Sequence, residues 1–184
     1  MSKFKTLITA MLLSAMPVSL VHAGSGCSAK AKQIWALSVT QKLSVEALSD
    51  GPSCSLAVVM LVIRNSKGEP LWIESNKASG VFTFTQANPA NTKAMTEALK
   101  EWIMKDDRLQ QAGALPDWKP GADAPEASEF PFYTDEGITR DDYLNMRNAK
   151  LPMFCYVAGI ESEACLVLNK DGTIVKVGSQ SFPG

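Results

Sequence analysis

The chain has 184 residues, is 46% apolar and 20% charged, and carries a formal net charge of −1 with one histidine. Its apolar share argues against disorder, and the absence of any long basic run argues against a nucleic-acid surface. That histidine, His22, falls within a predicted export signal, so the exported chain could build neither a Ser-His-Asp or Cys-His hydrolytic site nor a His-ligated metal centre.

The signal has three parts. Lys3 and Lys5 give a positive start, Leu7 to Leu20 is mostly apolar, and Val21-His22-Ala23 offers a cleavage site after Ala23. Pro17 interrupts the apolar stretch, which falls short of the roughly 20 residues a membrane helix needs. Removing residues 1–23 leaves 24–184, about 160 residues, predicted to form a single domain. The signal carries two lysines and no acid, so the exported chain has a charge of about −3. The expected location is periplasmic or secreted. A lipid anchor through Cys27 is the alternative, but Gly24-Ser25-Gly26 lacks the apolar residue that lipidation requires.

Residues 34–48 alternate apolar and polar, with Trp35, Leu37, Val39, Leu43, Val45 and Ala47 on one face. This predicts a half-buried strand with a bend or bulge near Gln41. After Asp50-Gly51-Pro52, the run Leu56 to Ile63 is apolar on both faces and predicts a central strand covered on both sides. Asn65-Ser66-Lys67-Gly68 then turns the chain into a hairpin partner at Leu71-Trp72-Ile73, and Val81 to Thr85 reads as a further strand.

Asn88 as N-cap and Pro89 in the first turn predict a long helix over about 89–111. Met95, Ala98, Leu99, Trp102, Ile103 and Leu109 form its apolar stripe, Glu101 and Lys105 an i,i+4 pair, and Gly113 a terminator. Pro116, Pro120, Gly121, Pro125 and Pro131 crowd residues 113–131 among Ala, Asp, Glu and Ser, which read as a long connecting loop. A short helix is predicted over about 140–148, capped by Thr139, with Asp141 and Asp142 at its positive end. Strands at Met153 to Val157, Ala164 to Leu168 and Thr173 to Val177 follow, the last two joined by Asn169-Lys170-Asp171-Gly172. The fold class is α+β: a largely antiparallel sheet of about six or seven strands with one long and one short helix.

Four cysteines in an oxidising compartment predict two disulfides. The short turn between Cys155 and Cys165 favours that pair, leaving Cys27 with Cys54. The chain-entropy model assigns them roughly 3 and 3.5 kcal/mol respectively. No Cys-x-x-Cys spacing points to redox catalysis.

No catalytic residue and no metal or cofactor site emerges. Asp106-Asp107, Asp141-Asp142 and Glu161 with Glu163 read as solvated acids, and the acidic turns lack a calcium loop's ligand pattern. Four aromatics flank the proline-rich loop: Trp118, Phe130, Phe132 and Tyr133. They either anchor it to the core or face a partner. The function expected is an exported, non-catalytic binding module, for instance an inhibitor of an extracytoplasmic hydrolase, recognising a protein or small ligand in the envelope. The alternative is a structural or accessory subunit of an envelope assembly. A small enzyme using carboxylates or a Ser/Lys pair comes third.

Overall fold

The computed structural model describes residues 26–105, 107–125 and 130–182. The predicted signal at 1–23 lies outside them. Two antiparallel sheets and three helices make up the fold, in the α+β class that the element order predicts.

The first sheet is a meander, β1 (Ala29–Ala36), β2 (Lys42–Asp50), β3 (Val58–Arg64) and β4 (Pro70–Lys77), each strand beside the next. The alternating stretch is therefore two strands. Leu37 to Gln41 form a turn in which the Ser38 hydroxyl accepts from the Gln41 amide at 3.0 Å, so Val39 leaves the apolar face while Leu37 stays half-buried against the core. Trp35 pairs with Leu43 across that hairpin, and both are buried. On β3 only Val59, Leu61 and Ile63 reach the core. On the other face Val58 is 41% exposed and Met60 half-buried while Val62 is buried, so that side is covered only in part and joins no second core.

Val81 to Thr85 is not a strand. Residues Phe82–Ala87 form the short helix α1, closed by Asn88 in the left-handed conformation at φ 40°. Its Phe84 ring meets Trp102 edge-on at 5.3 Å, so burial against the next helix overrides the β-propensity of alternating Phe and Thr. Helix α2 spans Thr92–Met104, not 89–111. Asn91 caps it by accepting from the Ala94 amide at 3.0 Å, since Asn88 is already closing α1. The helix stops when Lys105 turns extended, which forestalls the Glu101–Lys105 pair; Lys100 instead bridges Glu97 at 2.9 Å. Leu109–Gln111, expected as the end of that helix, form strand β5.

The second sheet has the order β5-β7-β8-β9-β6, with β6 at Phe132–Thr134, β7 at Pro152–Val157, β8 at Ser162–Leu168 and β9 at Ile174–Ser181. Its strands alternate between two cores. Phe154, Tyr156, Ala164, Leu166 and Leu168 face the first sheet and α2, sharing one apolar cluster with Trp35, Val45, Leu61, Leu99 and Trp102. Met153, Cys155, Cys165, Val167 and Val177 face the other way, under the proline-rich segment and helix α3 (Arg140–Asn148). That helix has the predicted Thr139 cap, completed by Asp142 as a reciprocal capping box.

Both predicted disulfides are present, Cys27–Cys54 and Cys155–Cys165. The second joins directly opposed residues of β7 and β8. The first ties the start of the described chain to the turn after β2, where Cys27 also donates its amide to Gly51 O at 2.8 Å. Two disulfides indicate an oxidising, extracytoplasmic location. No helix among the described residues is long and apolar enough to cross a membrane.

Candidate functional site

Residues 115–118, within the proline-rich segment, are bound to α3 by three of its side chains. Tyr143 donates its hydroxyl to Pro116 O at 2.8 Å, Arg147 Nε donates to Leu115 O at 2.9 Å, and Arg140 Nη2 donates to Trp118 O at 2.9 Å. Three carbonyls of a proline-rich stretch, which has few amides of its own to pair, thus find donors on one helix. Arg147 also lies 3.4 Å from Asp117.

The four aromatics that sequence singles out divide accordingly. Trp118 is 8% exposed, lies edge-on to Tyr143 at 5.4 Å and donates Nε1 to Ala122 O at 2.8 Å. Phe132 is buried against the other side of Tyr143 at 6.1 Å. Those two are packed anchors. Phe130 is half-buried, with its carbonyl accepting from Gln180 Nε2 at 3.1 Å. Tyr133, 60% exposed, is the one whose ring stands open to a partner. Tyr143, the hub, has a pKa raised well above the ordinary tyrosine value by burial first, with Asp117 adding to it and Arg147 opposing it. It is a neutral hydrogen-bond donor.

Beside this packed layer lies an open groove of about 540 Å³ between α3 and the turn joining β8 to β9. Ile138, Met146, Leu151 and Val175 form its apolar floor; Asp142, Asn145, Asn169, Lys170 and Asp171 form its rim. Much of that rim is already engaged. Asp142 completes the α3 cap, Asn169 Nδ2 donates to Thr173 Oγ1 at 3.1 Å, and Asp171 accepts from the Thr173 hydroxyl and amide at 2.7 and 2.9 Å. Those Thr173 bonds hold the Asp171 carboxyl below its ordinary pKa, so it is a fixed negative point beside Lys170. The side chains of Asn145 and Lys170 make no hydrogen bond or ion pair with the described residues and stand free to meet a ligand. Sequence reading missed this groove because its rim residues look like an ordinary hairpin turn and an ordinary helix face. Only the docking of α3 beside that turn makes them neighbours.

Two buried polar groupings have structural explanations. Tyr156, fully buried, donates to Glu74, whose second oxygen accepts from Asn76 Nδ2 at 3.2 Å. Burial first, then the bond to Glu74, raises the Tyr156 pKa. This ties β7 of one sheet to β4 of the other. Arg108, 5% exposed, pairs with Glu163; burial raises the Glu163 pKa against the opposing pull of Arg108. Neither pair lines the α3 groove. Among the described residues no group of three or more His, Cys, Asp or Glu side chains could hold a metal ion. No family model, curated protein or solved structure matches the chain.

Proposed function

We propose that the protein is an exported, non-catalytic binding module, periplasmic or secreted, whose ligand seats in the groove between α3 and the β8–β9 turn. One observation carries this reading: a groove with an aliphatic floor and two unengaged polar side chains, Asn145 and Lys170, on a rim fixed by a capped helix and a tight hairpin. Rigid elements around a concave apolar surface with a few polar points are what ligand recognition needs. Lys170 selects a carboxylate or similar anion, Asn145 an amide or hydroxyl, and the floor an aliphatic side chain. A peptide C-terminus or an acylated amino acid has that chemistry. Tyr133 and Phe130 extend the contact surface for a protein ligand. The Cys27 sulfur is committed to Cys54, which favours a free product over one lipid-anchored through that thiol.

The test is a titration of the ¹⁵N-labelled oxidised protein with N-acetylleucine and with its carboxamide. The acid should shift amides at residues 142–146 and 169–171 more than the amide does, and Lys170→Ala should abolish that difference. Shifts scattered over the surface, or none at millimolar ligand, would remove the groove as a site. The runner-up, an accessory subunit of an envelope assembly, is favoured by β4, a sheet-edge strand with Ile73 61% exposed.

A further inference from the structure

The face of the first sheet opposite α2 carries a surface that the fold leaves unmatched. The register aligns Lys30, Leu48, Met60 and Ser75 in one cross-strand row and Lys32, Glu46, Val62 and Ile73 in the next. Side-chain alternation puts Leu48, Val58, Met60, Val62 and Ile73 together as one aliphatic strip on that face. Within it Val58 and Ile73 are 41% and 61% exposed, Leu48 and Met60 are half-buried, and Val62 is buried beneath its neighbours at 5%. Strand β3 has the two-sided apolar pattern of a strand buried on both faces, yet its core contacts come from Val59, Leu61 and Ile63 alone. An apolar strip that is part-exposed and rimmed by charge has the make-up of an interaction surface.

Its charge says what kind of surface would fit. Lys30, Lys32 and Arg64 converge on Glu46 at 3.2, 3.1 and 3.4 Å, three cations on one buried carboxylate. Lys42 and Lys77, exposed at two corners, form no ion pair with the described residues, and Asp50 is the second acid of the face. Five cations thus meet two carboxylates on a chain whose overall charge is negative. Two copies stacked through this face would set like charges against each other. An anionic lipid surface would meet Glu46 at the centre of the patch and none of the Trp or Tyr side chains that favour a membrane interface.

We infer that this face docks an acidic protein segment whose apolar side chains cover the aliphatic strip and whose carboxylates pair with the lysines around it. The surface is separate from the α3 groove, which lies on the far side of the second sheet, and one can fail without the other.

The experiment measures fluorescence anisotropy of labelled peptides, one alternating Glu and Leu and one alternating Lys and Leu, against the oxidised protein at low and high salt. Phosphatidylglycerol vesicles and sedimentation of the protein alone provide the other arms. The variants are Lys42→Glu/Lys77→Glu and Ile73→Ser, exposed positions chosen to leave folding intact, as circular dichroism will check. The acidic peptide should bind, weaken at high salt and lose about tenfold in affinity in each variant, with amide shifts on β1–β4. The proposal is overturned by no binding of the acidic peptide, by equal binding of the basic one, or by unchanged affinity in both variants. Vesicle binding without peptide binding, or self-association that buries this face, overturns it as well.

Discussion

Replacing Trp118 by alanine separates an anchoring role for the proline-rich segment's aromatics from a partner-facing one. The indole is 8% exposed, packed edge-on to Tyr143 and bonded through Nε1 to Ala122 O. A buried aromatic removes about 150–250 Å² from water, and truncating one to alanine costs about 3–5 kcal/mol. The Nε1 bond, about 1 kcal/mol, is part of that total. Trp118 roofs the smaller core and has one edge at the surface, so the lower half of the range applies, about 3–4 kcal/mol. For a domain of this size that lowers Tm by about 6–16 °C. Urea and thermal unfolding with both disulfides intact, followed by circular dichroism, measure it. Trp118→Phe keeps a ring beside Tyr143 and should lose only about 1–2 kcal/mol. A cost below about 1 kcal/mol for Trp118→Ala, with an unchanged m-value, would refute the packing argument and return Trp118 to the partner-facing surface.

Gly178→Ala should destabilise by at least about 2 kcal/mol, because its Cβ would stand 2.3 Å from the Tyr133 carbonyl and 2.5 Å from the Phe132 ring; urea midpoints check this, and exchange should rise first in β6 amides. Burial pulls the Glu46 pKa up, but hydrogen bonds from Lys32 and Lys30 and their charges outweigh it, so it lies below the ordinary 4.5. A depressed carboxyl pKa stabilises above the unfolded value and loses that stabilisation as pH falls through the folded value. Glu46→Gln should therefore cost about 1 kcal/mol at neutral pH, where half-exposed cations weaken the pairs, and flatten the acid limb of a stability–pH curve. Replacing Cys27 and Cys54 together by serine should cost about 3.5 kcal/mol, and Cys155 with Cys165 about 3 kcal/mol, read as urea midpoints of the two variants. Equal midpoints for either pair and the parent protein would refute the staple role.

The sequence carried more of the fold than of the site. Alternation over 34–48 marked strand structure there but merged β1 and β2 into one strand, the apolar run marked β3, and the apolar stripe marked α2, because each pattern is local. The short turn favoured Cys155–Cys165, and Cys27–Cys54 followed as the remaining pair. Helix α1 was illegible, since Val81 to Thr85 has strand chemistry and becomes helical only by packing Phe84 on Trp102. Asn88 and Asn91 are equally good caps in sequence, and the choice between them depends on where α1 ends. Strands β5 and β6 are three residues each and exist only through their partners β7 and β9. The groove is formed by α3 and a hairpin turn some 25 residues downstream, so no spacing rule could have signalled it. For the aromatics, residue type gave a candidate list, while Tyr143, which lies outside that list, decides which of them are buried.

The two disulfides pair the first thiol with the second and the third with the fourth, and neither links one sheet to the other. An oxidant meeting the chain from its N-terminus can therefore close the first bridge before the later thiols arrive, leaving no wrong partner within reach. Each closed bridge then lies within its own meander of strands, so neither has to be broken for the halves to come together. Such a chain can mature without a disulfide isomerase.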